Sequence, residues 1–264
     1  MVMRQLRIMY FTQPAFLDGA LCLTRALSTV AHVALVIEMG PEQLASSAIP
    51  LPPHGFGAGI HECSSCLGAA LPAGFRKYWE SAASVHGIVY DSPHSLGMRA
   101  QAIARRAPRL ADAFAADVIH LEDLSLRLAP AMVLQRRYPV VVNIHDRCPH
   151  PGASSRKSDL ARPALVRRAD AVVLHNRAQY EYFASRHPRC RHVACIRLAL
   201  CDAPHRWWAT FGRYYGSLVG AQVATMLKYR LRQVQGENGR IERVPPQDRR
   251  QGVMIRCTRA LRAP

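Results

Sequence analysis

Acidic residues are scarce in this sequence. Its 264 residues include 18 Asp and Glu but 35 Lys and Arg, so the formal net charge is +17 and the isoelectric point is near 10.3. This imbalance favours partners such as phosphates, nucleic acid or an anionic membrane surface. About half of the excess lies in residues 201–264, which contain 12 Lys and Arg against four acidic residues.

Long apolar runs are missing as well. No stretch reaches the roughly 20 consecutive apolar residues that a membrane-spanning helix requires. Near the amino terminus, Gln13, Pro14 and Asp18 interrupt the apolar run before the core of a signal peptide is complete. We therefore expect a cytoplasmic protein whose contact with a membrane is peripheral, at its inner face.

The cysteines do not form a disulfide framework. Eight of them are scattered along a chain large enough to fold without covalent staples, which indicates a reducing compartment. Metal-ligand residue types occur in segments 61–66 (HECSSC) and 145–150 (HDRCPH). A single Cys-x-x-Cys is weak evidence for zinc, and the second segment has no further ligand pair at finger-like spacing. We predict no metal site and no other cofactor.

Apolar runs alternate with helical patterns through most of the chain. The runs that predict strands are 6–12, 32–39, 86–91, 116–124, 138–146, 169–175 and 191–200. Most are apolar without alternation, as expected of parallel strands covered on both faces. We predict an α/β fold with a doubly wound parallel sheet. Residues 43–61 carry no charged side chain but several Pro and Gly, which predicts a long loop.

Prolines and polar residues mark the predicted helix boundaries. Pro108 is expected to kink or divide the helix that follows the third run, and Pro163 to sit early in a later helix. Asn176 and Gln179 have the spacing of a capping box and predict a helix through Arg186.

Three of the predicted strands end in polar clusters: 120–123, 145–150 and 175–177. Ligands of open parallel sheets bind beyond the carboxyl ends of the strands, so the clusters could line one cleft. The alternative is that each is a solvated turn. Gly19, at the first strand-to-helix turn, would let backbone amides approach a phosphate. It lacks a G-x-G-x-x-G context, so a structural glycine is the alternative there.

Residues 201–264 lack a convincing series of elements. Aromatic side chains among arginines at 206–215 are typical of surfaces that stack nucleic-acid bases. Residues 213–232 equally fit a basic amphipathic surface segment. We predict an irregular basic tail over this range.

Three segments, taken in order, resemble the N-terminal half of family 4 glycosyltransferases of the GT-B fold. They are ADVIHLEDLS (116–125), YPVVVNIHDRCPHPG (138–152) and RRADAVVLHNRAQYEYF (167–183). The most specific part is His145-Asp146 followed by the Pro-His-Pro-Gly of 149–152. The resemblance covers roughly residues 4–200.

This resemblance implies transfer of a hexose from a nucleotide-sugar donor to a glycan or lipid-linked acceptor, as in polysaccharide biosynthesis. It implies that His145 lines the sugar cleft as the catalytic residue and that Gly19 lies near the donor diphosphate. The substrate-binding residues are then Gly19, Asp146, His150, Asn176 and Arg177. Nucleic acid is a disfavoured partner in this interpretation.

The family also uses a second domain, in which two glutamates eight positions apart hold the donor. Here residues 201–264 offer only Glu237 and Glu242, five positions apart. We therefore expect a Rossmann-like N-terminal domain over 1–200 and a degenerate or truncated second domain over 201–264. Two other functions stay open: a non-catalytic domain that binds phosphate or glycan ligands, and a nucleic-acid binder that acts through the tail.

Overall fold

The computed structural model describes most of residues 5–195. The described residues are 5–45, 51, 56–71, 73–122, 125–144, 156–175, 177–188, 190 and 192–195. The predicted site residues His145, Asp146, His150 and Asn176 lie outside them, as does the predicted tail 201–264.

Eight described strands form one sheet. They are β1 (Leu6–Thr12), β2 (Ala31–Met39), β3 (Gly59–Glu62), β4 (Ser84–Val89), β5 (Val118–Glu122), β6 (Val140–Ile144), β7 (Ala171–Leu174) and β8 (Val193–Cys195). Their order is β3-β4-β2-β1-β5-β6-β7-β8, and every pair is parallel except β3 with β4. The predicted doubly wound α/β architecture is confirmed.

The order of the strands places a crevice beside β1. From β1 the chain proceeds to β2 and β4 on one side, and then returns to β5 on the other side of β1. The segments that leave β1 and β5 therefore diverge at their carboxyl ends. Open α/β sheets bind ligands at such a switch point.

Helices cover both faces of the sheet. The described helices are α1 (Leu17–Ser28), α2 (Pro41–Ala45), α3 (Ser64–Ala70), α4 (Ala73–Trp79), α5 (Met98–Ala104), α6 (Ala107–Phe114), α7 (Ala129–Leu134), α8 (Arg156–Arg168) and α9 (Arg177–Arg186). One apolar core receives side chains from α5 to α9, and the other receives them from α1, α3 and α4. None of these helices is long and apolar enough to cross a membrane.

Local sequence explains α1. Leu17, Ala20, Leu21 and Leu27 recur at helical spacing and are all buried against the sheet. A short 3-10 turn, Pro14–Phe16, precedes this helix and leads the chain from β1 into it.

Three sequence predictions meet different outcomes. The division of a helix near Pro108 is confirmed, because α5 ends at Ala104 and α6 begins at Ala107 with the proline in its first turn. The long loop at 43–61 is wrong at both ends: residues 43–45 belong to α2, and β3 forms by antiparallel pairing with β4. Pro163 lies in the middle of α8 rather than early in it.

Candidate functional site

Five polar residues lie together near the carboxyl ends of the three strands at the switch point. We call Tyr10, Thr12, His120, Glu122 and Asn143 the Glu122 cluster. They come from β1, β5 and β6, and each side chain is at most 1% exposed. Parallel register brings them together, since Tyr10 pairs with His120 and Glu122 pairs with Asn143. Buried polar groups of this kind are costly unless they bond to one another.

Glu122 holds the ends of β1 and β5 together. Its Oε2 accepts hydrogen bonds from the Tyr10 hydroxyl and from Thr12 Oγ1, each at 2.7 Å. Burial raises the pKa of Tyr10 well above its ordinary value, and the neighbouring Glu122 carboxylate raises it further. The phenol therefore remains a donor to the carboxylate.

His120 lies against Tyr10, where burial disfavours the charged form of its ring. Its ring stacks on the Tyr10 ring with centroids 4.7 Å apart, and Nε2–H donates to Asn143 Oδ1 at 2.9 Å. This bond leaves the lone pair on Nδ1, which is buried and has no hydrogen-bond partner among the residues described. Burial lowers the pKa of His120, against the smaller opposing effects of Asn143 and Glu122.

This lowered pKa predicts a loss of stability in acid. The unfolded chain binds a proton with the ordinary pKa of 6.5, while the folded chain resists protonation of His120. The contribution of His120 to the free energy of unfolding is therefore fully present above pH 6.5. It is lost as the pH falls from 6.5 through the pKa of His120 in the folded protein. We expect His120→Gln to weaken the dependence of unfolding free energy on pH in urea titrations.

Two comparisons make this test specific. Exposed His94→Gln is the control and should leave the slope unchanged. His86 and His187 also have pKa values lowered by burial, so part of the acid loss should remain in His120→Gln. An unchanged slope in His120→Gln would contradict the assignment.

A second polar cluster, in which Glu38 and Arg127 are buried, joins the end of β2 to the segments that follow β2, β4 and β5. We call Glu38, Glu42, Tyr90, Ser125 and Arg127 the Arg127 cluster. Arg127 is 1% exposed, and its Nη2 donates to Glu42 Oε1 at 2.5 Å and to the Ser92 carbonyl at 3.1 Å. Its guanidinium also lies over the Tyr90 ring, 5.3 Å from the centroid.

Ser125 connects this cluster to the end of β2. Its amide donates to Glu38 Oε2 at 3.1 Å, its hydroxyl donates to Glu38 Oε1, and the same hydroxyl oxygen accepts from the Arg127 amide at 3.1 Å. Burial raises the pKa of Glu38, while the bonds from Ser125 and the Arg127 charge lower it in part. The two clusters therefore fix the carboxyl edge of the sheet on both sides of β1.

Among the predicted site residues, the structure describes Gly19 and the backbone of Arg177. Gly19 is the third residue of α1, and its amide bonds to Asp18 Oδ1 at 2.7 Å. A phosphate could reach this amide only after the Asp18 carboxylate turns away. Arg177 begins α9 directly after β7. The four remaining residues stay predictions.

Sequence reasoning found one part of the Glu122 cluster and missed the rest. The polar end of a predicted strand indicates His120 and Glu122. The apolar runs that contain Tyr10, Thr12 and Asn143 predict only strands. The available indication was a polar residue inside an apolar run, such as Asn143 in VVVNI and Glu38 in LVIEM. Such residues have to find partners when buried.

The potential metal ligands of the described residues do not form a cluster. Across the parts of 5–195 that are described, no three His, Cys, Asp or Glu side chains are grouped as ligands of one ion. The segment 61–66 falls within those parts, and 145–150 falls outside them.

Comparison with known protein families gives one match. Residues 61–199 fit the model of the family described as "Glycosyl transferase 4-like domain". The match begins within β3 and includes β4 to β8, and therefore the β5 and β6 members of the Glu122 cluster. No curated protein matches the chain.

Solved structures that resemble this chain include the following three. The UDP-N-acetylglucosamine 2-epimerase of Rickettsia bellii has 9% identity and a TM-score of 0.51, over 85% of this chain and 52% of that one. The sucrose-phosphate synthase of Thermosynechococcus elongatus has 11% identity and a TM-score of 0.48, over 85% of this chain and 99% of that one. Anabaena HepE, solved with UDP and glucose, has 16% identity and a TM-score of 0.41, over 80% of this chain and 50% of that one. The chain spans about half the length of the first and third, and these identities show the fold alone.

Proposed function

The chain belongs to the family of glycosyl transferase 4-like domains, and from this membership we propose that it transfers a sugar from a nucleotide-sugar donor to an acceptor hydroxyl. The observation that carries the proposal is the family match over residues 61–199. It spans the strands whose carboxyl ends form one side of the switch-point crevice. We further propose that residues 1–200 correspond to the N-terminal half of the two-domain GT-B arrangement.

In this proposal the Glu122 cluster holds the binding segments in position. Asn143 is two residues before His145, and Thr12 is followed by the turn that leads to Gly19. The hydrogen bonds of Glu122 to β1 therefore set where both segments leave the sheet. A site that must orient a sugar within about 0.5 Å depends on such rigid support.

The chemistry of transfer defines the proposed roles. The bond from the anomeric carbon to a diphosphate oxygen breaks, a bond to the acceptor oxygen forms, and the acceptor hydroxyl loses its proton. Negative charge develops on the departing diphosphate and needs fixed donors or cations nearby. We assign His145 to the sugar cleft, Gly19 to the diphosphate side, and Asp146, His150, Asn176 and Arg177 to substrate binding. The proposed acceptor is a glycan or a lipid-linked sugar of polysaccharide biosynthesis at the cytoplasmic face of the membrane.

Gly19 allows the structural and functional interpretations to be separated. A Cβ added at Gly19 would meet no atom within 4 Å, and the residue lies in α1. Gly19→Ala should therefore raise the free energy of unfolding by about 0.5–1 kcal/mol. If the backbone there approaches a diphosphate, the same variant should bind nucleotide sugars more weakly. Urea unfolding and calorimetry on one preparation measure both effects.

Gly68→Ala is the contrasting variant for Gly19→Ala. A Cβ at Gly68 would lie 2.8 Å from Nε1 of the buried Trp79 ring, which is held by its hydrogen bond to the Ser64 carbonyl, so this change should destabilise the fold. A Gly19→Ala protein that is more stable and binds as tightly as the parent would make Gly19 a purely structural residue.

Titration calorimetry of the full chain with a panel of nucleotide sugars and nucleoside diphosphates tests the proposed function. Moderate salt should suppress nonspecific binding by the basic chain. We expect one nucleotide sugar to bind and His145→Ala to weaken it by at least about tenfold, the loss expected for one good hydrogen-bonding contact. His32→Ala is the control, because His32 is exposed at the opposite, amino edge of the sheet.

Each result of this titration has a definite meaning. Selective binding followed by sugar release to lipid-linked acceptors supports transfer. Saturable binding without turnover in the presence of acceptors would instead make the chain a binding domain. Absence of binding by a folded chain would contradict the proposal.

A further inference from the structure

A basic stretch with no acidic residue follows β4. Residues 92–111 include four arginines and His94 but neither Asp nor Glu. The stretch forms the loop that enters α5, then α5 itself and the first half of α6. We call this stretch the 92–111 segment.

One face of the 92–111 segment is buried and the other is cationic. The side chains packed in the core are Ala100, Ile103, Ala104, Ala107 and Ala111. The exposed cationic residues are Arg99, Arg105, Arg106 and Arg109. Arg99 pairs with Asp91 at 2.7 Å, while the other three arginines form no ion pair within the described part of the chain.

Two large apolar side chains of the 92–111 segment are exposed to solvent. Leu96 is 64% exposed and Met98 is 91% exposed. In the part of the chain that the structure describes, only Val30 and Leu134 are comparable, and neither belongs to this segment. Single exposed apolar residues are ordinary, but an exposed apolar pair in the same short segment as four exposed arginines indicates a contact surface.

The apolar pair is held in place by ordered backbone. Gln101 Nε2 donates to the Ser95 carbonyl at 2.9 Å and to the Arg127 carbonyl at 3.1 Å, and the Gln101 amide donates to the Gly97 carbonyl at 3.0 Å. These bonds tie the loop to the buried Arg127 cluster. The exposure of Leu96 and Met98 is therefore a fixed feature of the fold.

We propose that the 92–111 segment docks on an anionic lipid bilayer, with Leu96 and Met98 entering the interface and the arginines contacting lipid phosphates. Aliphatic side chains flanked by cations are typical of interfacial helices. The segment contains no aromatic residue, so it lacks the stacking platforms by which proteins bind single-stranded nucleic acid. Its first residues, 92–97, follow β4 at the carboxyl edge of the sheet, and its helices α5 and α6 lead the chain towards the start of β5. This surface is independent of whether the chain transfers sugar.

Vesicle flotation of the full chain tests the proposal. The vesicles are phosphatidylcholine alone, or equal parts phosphatidylcholine and phosphatidylglycerol. We expect binding to the anionic vesicles, a loss of about fivefold per arginine in Arg105→Gln/Arg106→Gln, and a comparable loss in Leu96→Ser/Met98→Ser. Hydrogen exchange should show vesicle-dependent protection within residues 92–111.

Matched variants separate this surface from the rest of the chain. Leu134→Ser changes another exposed apolar side chain, 75% exposed on α7, and should bind as the parent does. Arg249→Gln/Arg250→Gln removes the same charge from the tail and should weaken binding less than the Arg105 and Arg106 pair. Thermal melts should be unchanged for all of these variants, because every described side chain altered is exposed.

Three outcomes would overturn the proposal. One is parent-like vesicle binding by Leu96→Ser/Met98→Ser, and a second is an equal loss in the tail variant with no protection in 92–111. The third is protection of the segment by a nucleic-acid duplex but not by vesicles, which would make it a nucleic-acid surface.

Discussion

Arg127→Ala should lower the free energy of unfolding by about 2–3 kcal/mol, because it removes charge-assisted hydrogen bonds of a buried guanidinium, although the Glu42 carboxylate that it contacts is itself 48% exposed. The guanidinium is 1% exposed, bonds to Glu42 and the Ser92 carbonyl, and lowers the pKa of the buried Glu38. Its loss leaves Glu38 buried without a nearby cation. Urea unfolding followed by circular dichroism measures the effect.

The matched control for Arg127 is Arg99→Ala. Arg99 also pairs with an aspartate, at 2.7 Å, but its side chain is 76% exposed. Exposed pairs contribute only about 0–1 kcal/mol. A loss in Arg127→Ala no larger than that in Arg99→Ala would show that the Arg127 cluster does not stabilise the sheet edge.

The pH dependence of the Arg127 variant adds a second check. Burial already raises the pKa of Glu38, and removing the cation should raise it further. A raised folded pKa stabilises the protein below the unfolded value of 4.5, and this contribution is lost as the pH rises through the folded pKa. The difference between parent and variant should therefore be smaller near pH 4.5 than at neutral pH.

Glu122→Ala should cost about 3 kcal/mol of unfolding free energy, because it removes the acceptor that two buried hydroxyls share and leaves Thr12 only a longer contact, of 3.4 Å, to the Gln13 carbonyl. Tyr10 and Thr12 both donate to the same carboxylate oxygen at 2.7 Å. Glu122→Gln keeps one carbonyl acceptor and should lose less. Glu80→Ala changes an exposed glutamate and is the control for the loss of a carboxylate alone.

A double-mutant cycle identifies the source of the Glu122 effect. Tyr10→Phe removes one of the two donors that Glu122→Ala leaves unpaired, so the double variant should cost less than the sum of the single variants. Additive losses would mean that the Tyr10 bond contributes nothing. Weaker nucleotide-sugar binding in Glu122→Gln, at unchanged fold, would further connect the cluster to the proposed site.

Strands that are buried on both faces could be predicted from the sequence. The predicted run 6–12 coincides with β1, Leu6–Thr12, and 32–39 differs from β2 by one residue at its start. Both strands consist almost wholly of buried side chains, so their apolar runs carry the information locally. The alternation of these runs with helices sufficed for the fold class.

The strand β3 could not be predicted in the same way. Its four residues, GIHE, include a glycine, a histidine and a glutamate, and three of them are partly or fully exposed. Its extended state depends on antiparallel pairing with β4, more than 20 residues later in the chain. Apolar periodicity contains no information about such a partner.

The candidate site was predictable in kind but not in composition. The polar residues at the end of β5 indicate a candidate site at the carboxyl edge of the sheet. The hydrogen-bond partners of Glu122, however, lie 110 and 112 residues earlier, in β1. Likewise Ser125 lies 87 residues from Glu38. Only the register of the sheet joins these positions. The segment 145–150 and Asn176 lie outside the described residues, so their assignment still depends on the family resemblance.

The central position of β1 has a consequence for the synthesis of the chain. β1 is translated before the other described strands of this sheet and can pair with β2 soon after β2 emerges, but its other neighbour is β5. Until Glu122 has been translated, one edge of β1 has no strand to pair with, and Tyr10 and Thr12 have no carboxylate to bind. Non-local parallel pairings of this kind form slowly. The crevice therefore forms late in synthesis. A nascent chain that stops before β5 exposes an unpaired apolar strand edge, which chaperones can bind and through which chains can aggregate.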